Sequence, residues 1–209
     1  MFSDLSLSQI VIVAGCLLAS LTLHEAMHAF TAHYLGDTTA QEQGRLTLNP
    51  LQHIDLMTTI LLPIGLMLLH FPPFFIARPV PFDPRRVRYG EYGAALVALA
   101  GPFTNLALAG LSALALRMGA ADFGDTVGQI LVLFTQVNIM FFVFNMIPFP
   151  PLDGSRLLYA VAPEPVKGVM AKIESAGFPI IIFFMLVLFP FISPFISNIT
   201  GAIYNFLLR

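Results

Sequence analysis

The sequence predicts an all-α integral membrane protein, a polytopic helical bundle, and three observations carry that prediction. Hydrophobic residues make up 57% of the 209 residues and charged residues only 11%, against about 25% charged in soluble domains. The mean hydropathy is +0.82. The apolar residues also gather into long runs of about 20, the length at which a helix crosses a hydrocarbon core of ~30 Å. The expected architecture is a three-helix core, a re-entrant, β-like segment between its first and second helices, and one or two further C-terminal spans. All of it forms a single domain, 1–209. A net charge of −2 gives no footing for nucleic acid. The single cysteine, Cys16, excludes a disulfide framework and a cysteine-rich zinc knuckle.

In chain order, residues 8–30 form the first expected span. Asp4 precedes it with no Lys or Arg, so the basic n-region of a cleaved signal is missing and the span is expected to be retained. Residues 34–55 are polar, with Gly36, Gly44, Asn49 and Pro50 as breakers, and read as a loop with room for short strands. Residues 56–76 are apolar again but carry Pro63, Gly65, Pro72 and Pro73, so the segment is expected to enter and leave on one side. Residues 78–92 are a basic loop with Arg78, Arg85, Arg86 and Arg88. Residues 94–118 and 129–147 are the next clear spans, joined by a short acidic turn. Residues 178–208 are apolar and broken at Pro190 and Pro194, as one kinked span or a tight pair.

The first span carries His24-Glu25-Ala26-Met27-His28. Histidines four residues apart lie one above the other on a helix, so both imidazoles reach one ion. Glu25 follows the first of them, placed to deprotonate a water without being a ligand. Coincidence is a poor explanation, because ionisable groups in an apolar span cost about 2.5–3.5 kcal/mol each unless they find a partner or a wet cavity. A catalytic zinc takes three protein ligands and keeps a position open. His33 lies about 140° further round the helix and faces elsewhere. Asp153, in the proline-broken turn after the third clear span, is the best third ligand, since irregular backbone at membrane depth lines a cavity or is buried in protein. Its competing role is a helix N-cap in Leu152-Asp153-Gly154-Ser155. His53 and His70 read as loop or interfacial histidines, with His53 near the site entrance. Asn138 reads as an interhelical hydrogen-bonding group.

Three motifs together resemble the site-2 protease family of intramembrane zinc metalloproteases. They are His24-Glu25-Ala26-Met27-His28, Gly101-Pro102-Phe103-Thr104-Asn105 and Asn145-Met146-Ile147-Pro148-Phe149-Pro150-Pro151-Leu152-Asp153-Gly154. Gly44-Arg45-Leu46-Thr47-Leu48-Asn49-Pro50 resembles the family's short members; no PDZ domain and no CBS pair is evident. The resemblance implies His24, His28 and Asp153 as ligands of one Zn2+ per chain and Glu25 as the base. It implies that Asn145, and by extension Asn105, positions the substrate carbonyl or stabilises the oxyanion. Implied substrates are single-span membrane proteins, cut within or next to their helices in a bacterial or archaeal cell membrane.

The shared ion imposes a parity rule. His28 and Asp153 both stand at C-terminal ends of spans, so those ends lie on one side, and residues 34–93 begin and end there. Arg45, Arg78, Arg85, Arg86, Arg88, Arg156, Lys167 and Lys172 fall on that side and Arg117 opposite, which makes the site side cytoplasmic. Strand edges at 44–48 or 61–66 are expected to receive an unwound substrate by β-augmentation. Two other functions compete: a catalytically silent scaffold of the same fold, which would not need Glu25, and a metal transporter, which would need polar residues across the whole membrane.

Overall fold

The computed structural model describes residues 6–68 and 78–209. The first helix, α1 (Leu7–Tyr34), starts at a capping box: Gln9 N donates to Ser6 Oγ at 3.3 Å and Ser6 N donates to Gln9 Oε1 at 2.8 Å. Its buried face carries Ser20, Thr22, His24 and His28 beside Ala26, Ala29 and Ala32. Small residues let neighbouring backbones approach closely, which is how apolar helices pack when lipid offers no hydrophobic drive. The neighbours are α4 (Gly90–Arg117) and α5 (Asp125–Asn145), linked by a 3-10 turn at Ala120–Phe123. Together α1, α4 and α5 form the core, with α4 touching both of the others.

Beyond the core, α6 (Gly154–Val161) and α7 (Glu164–Ser175) follow the proline-rich turn. The C-terminal apolar stretch is one unbroken helical run: α8 (Phe178–Phe183), a π-helical stretch at Phe184–Leu188, then α9 (Phe189–Leu208). Of the two arrangements open to residues 178–208, the chain adopts the single span. The irregular turn falls just before Pro190, which has no N–H to give the preceding turn. Phe184 and Ile196 pack there against Ala109, Ile139, Val143 and Phe144 of α4 and α5. Four helices among the described residues are long and apolar enough to cross a membrane: Leu7–Tyr34, Gly90–Arg117, Asp125–Asn145 and Pro179–Leu208. This is a multi-pass membrane protein.

The β-like expectation is corrected. No strand occurs among the described residues; the loop after α1 instead makes a short helix, α2 (Thr39–Glu42), and a 3-10 turn at Pro50–Gln52. The cause is local. Asp37 Oδ1 accepts from Thr39 N at 3.0 Å and Asn49 Oδ1 from Leu51 N at 3.1 Å, taking amides that a strand ladder would use. After Asp55, whose Oδ1 caps Met57 N and Thr58 N, the chain forms a π turn at Leu56–Leu61 and then α3 (Leu62–Leu68). The strand edges expected at 44–48 and 61–66 are therefore a turn and a helix. Residues 69–76 of the expected re-entrant segment, and His70 within it, lie outside the described residues.

Candidate metal centre

Four elements build the site. α1 presents His24 and His28 on one face, their rings 4.6 Å apart and nearly perpendicular. α4 crosses against that face at Gly101, and a Cβ there would stand 2.7 Å from His24 Cε1 and closer still to His28 Nε2. Only glycine leaves room for both imidazoles. Pro102, buried inside α4, has no N–H for the turn before it. One residue before the carbonyl so released, Val97 O accepts from His28 Nδ1 at 2.7 Å.

The third element is the turn between α5 and α6. Leu152 N donates to Phe149 O at 2.9 Å, and the backbone folds so tightly on α5 that a Cβ at Gly154 would lie 2.8 Å from Ile147 O. Asp153 occupies the N-cap position of α6, yet its side chain caps nothing. Its Oδ2 lies instead 3.1 Å from His24 Nε2 and 3.3 Å from His28 Nε2. The two Nε2 atoms are 3.0 Å apart, and His24, His28 and Asp153 form a group that could hold a metal ion.

The chemistry of this donor set fits a cation. Val97 O can only accept, so a neutral His28 carries its hydrogen on Nδ1 and points a lone pair from Nε2. Asp153 Oδ2 is buried and has no hydrogen-bond donor. An anionic oxygen and imidazole lone pairs converging in a buried space repel one another unless a cation lies between them. Ligands held at about 2.0–2.1 Å around a tetrahedral zinc stand roughly 3.3–3.4 Å apart, close to the 3.0–3.3 Å seen here.

A strap over the site is the fourth element. Residues 78–83 run extended past α1 and are pinned along their length. Arg78 N donates to His53 O at 3.0 Å and the buried Arg45 donates from Nη2 to Arg78 O at 2.6 Å. Val80 N donates to Glu25 Oε2 at 3.0 Å, and Asp83 N to Asp37 Oδ2 at 2.7 Å. The Val80 side chain packs on Ala29 and Ala40. Burial pushes the Asp37 carboxyl up, but its hydrogen bonds from Thr39 and Asp83 and the charge of Arg86 outweigh that and hold it below the ordinary carboxylate range.

Under the strap is a cavity of about 800 Å³, walled by His24, Glu25, His28, Asn145 and Asp153 and further out by Phe184 and Ile196. Arg156 and Glu174, paired to each other, also line it. Asn145 donates to Phe141 O at 3.0 Å from Nδ2, leaving Oδ1 toward other partners. Asn105 departs from the role the resemblance implies. It is wholly buried and is not among the cavity walls, because its amide is committed to His24 Nδ1 at 2.6 Å, Ser20 O at 3.3 Å and Asn138 Oδ1 at 2.8 Å. His53 is likewise no entrance residue: it is buried, with Nε2 2.9 Å from Thr47 O. Val80 and Val97 escaped the sequence reading because each acts through a backbone atom, which leaves no signature in residue type.

Helices fit to span a bilayer around two buried histidines and a partly buried aspartate define a membrane protein with a candidate metal centre. Comparison with known proteins gives the kind. The profile of peptidase family M50 matches residues 118–188, which include Asp153. A Bacillus subtilis protein named "Putative zinc metalloprotease YwhC" is 36% identical over 213 residues, spanning 98% of this chain and 90% of the relative. "Putative zinc metalloprotease Rip2" of Mycolicibacterium smegmatis is 34% identical over 83% of this chain and 65% of its own length. Its namesake in Mycobacterium tuberculosis is 33% identical over 71% of this chain and 56% of its own length. No solved structure matches the chain. The chain belongs to peptidase family M50, the site-2 protease family.

Proposed function

We propose that this chain is an intramembrane zinc endopeptidase that hydrolyses peptide bonds within or next to transmembrane helices of membrane-protein substrates. The observation that carries the reading is the convergence of His24 Nε2, His28 Nε2 and the donorless Asp153 Oδ2 beside Glu25 in an apolar cavity. His24, His28 and Asp153 would hold one Zn2+. Zinc bound there supplies Lewis acidity, polarising a peptide carbonyl and making a water easier to deprotonate. Glu25 takes the proton from the attacking water and passes it to the leaving amine. The Val80 amide holds Glu25 Oε2, so the other carboxylate oxygen does this work. Asn145, on the cavity wall, orients the substrate carbonyl; Asn105 positions His24 rather than substrate. Apolar walls suit a lipid-borne segment, and the arginines around the strap support a cytoplasmic location for the site. The 1–209 chain acts as one domain.

The test is zinc per chain in detergent-purified protein. Wild type and Glu25→Gln are expected to hold near-stoichiometric zinc, Asp153→Ala to lose most of it, and Glu25→Gln to cleave single-span substrates at least a hundredfold more slowly than wild type. Equal zinc in all three proteins would remove Asp153 from the centre. Unchanged cleavage by Glu25→Gln would remove Glu25 as the base, and a zinc-loaded wild type that cleaves nothing would favour the silent scaffold.

A further inference from the structure

Beneath His24, on the side away from the cavity, three polar side chains meet: Ser20 of α1, Asn105 of α4 and Asn138 of α5, each 0% exposed. Polar pairs between membrane helices add little on average, so helix adhesion alone is a weak reason to bury three of them. Their direction can be worked out, because two of their acceptors are backbone carbonyls, which never donate. Asn138 Nδ2 donates to Phe134 O and to Ser20 Oγ, both at 2.8 Å. Asn138 Oδ1 must then face Asn105, where it accepts from Nδ2 at 2.8 Å; the same Nδ2 donates to Ser20 O at 3.3 Å. Every N–H of both amides is now used. Asn105 Oδ1 is left facing His24 Nδ1 at 2.6 Å. An amide oxygen only accepts, so the hydrogen sits on His24 Nδ1 and the lone pair on Nε2 faces Asp153 and His28.

We propose that Asn138 is a positioning residue for the metal centre, fixing the protonated nitrogen and the ring orientation of His24 through Asn105. The inference rests on the metal-binding reading of His24, His28 and Asp153. A neighbouring pair supplies the internal control. Ser112 Oγ and Thr135 Oγ1, 2.8 Å apart, also join α4 to α5 in a buried contact, but they do not reach His24.

The experiment measures Zn2+ affinity of the full chain in detergent by competition with a chelator, and the visible absorption of the Co2+-substituted protein. Asn138→Leu removes the oxygen that accepts from Asn105 Nδ2 and fills its place with apolar bulk, and is expected to weaken zinc binding about tenfold or more, within the range usual for partners of ligating histidines, with a weaker Co2+ band. Asn138→Ala removes the same oxygen without added bulk, leaves Ser20 O to orient Asn105 and is expected to lose severalfold; it decides the matter if Asn138→Leu does not fold. Thr135→Val is expected to lower thermal stability yet bind zinc within about twofold of wild type. Wild-type affinity in the Asn138 variants overturns the proposal, as does an equal loss in Thr135→Val. Wild type that takes up no zinc overturns the metal-centre reading itself, and the relay with it, so the two failures are distinguishable.

Discussion

At Gly101 a single missing atom decides whether the centre exists. Two imidazoles lie against that backbone, and a methyl group would stand 2.7 Å from His24 Cε1. Gly101→Ala is expected to keep the helices, since overpacking costs about 1–3 kcal/mol, but to drop zinc well below one per chain. Metal analysis beside circular dichroism checks both halves. Asp37 offers a second residue-scale test. Its carboxyl is depressed in the folded protein, so its contribution is fully present above the ordinary value of ~3.9 and is lost as pH falls through the folded value. Melting temperatures from pH 5 to pH 2 are expected to fall more steeply in wild type than in Asp37→Asn, which cannot titrate. Equal slopes would assign the acid loss to other groups. Of the residues singled out in the sequence, His24, His28 and Asp153 show their chemistry directly, because ionisable groups in apolar surroundings demand partners. Asn105 does not: whether an asparagine faces substrate or ligand depends on what packs around it, and here three partners consume it.

The elements follow from composition where the pattern is long and apolar. α1, α4 and α5 lie within a few residues of the runs that suggest them, since a helix is the one way a single apolar segment satisfies its own backbone in lipid. The segments between them obey side-chain detail instead. Asp37, Asn49 and Asp55 each bind nearby amides, turning an expected β-like region into short helical turns. Extended chain appears at residues 78–83, where Pro79 and Pro81 remove two donors and the amide between them goes to Glu25. Arg45 holds this strap through Arg78 O while itself almost fully buried. Arg45→Ala therefore removes the donor to Arg78 O, a charge-assisted hydrogen bond of the kind worth about 1.5–3 kcal/mol. Trypsin is expected to cut at Arg85 and Arg86 severalfold faster in that variant, with zinc content unchanged. Cleavage at the wild-type rate would mean that Val80 and Asp83 suffice to hold the strap.

For the whole molecule, the joining of His24 and His28 to Asp153 places the end of α1 beside the turn after α5. That juxtaposition is what the parity rule requires, and the arginine distribution then predicts a cytoplasmic site. With Cys16→Ser as background, Asp122→Cys in the α4–α5 connection is expected to react with a membrane-impermeant maleimide applied to intact cells. Arg85→Cys is expected to react only after permeabilisation. The opposite pattern would place the site on the outer face. Sequence alone determined the membrane class, the core helices and the chemistry of the candidate metal ligands, because hydropathy and the cost of ionisable groups in lipid are properties of residues taken one segment at a time. Only the tertiary structure decided that Asp153 turns from capping α6 to facing two imidazoles, that Val97 and Val80 serve through their backbones, and that Asn105 faces His24 with Asn138 behind it. Those are contacts between segments distant in the chain, and their distances and directions arise only when the helices pack.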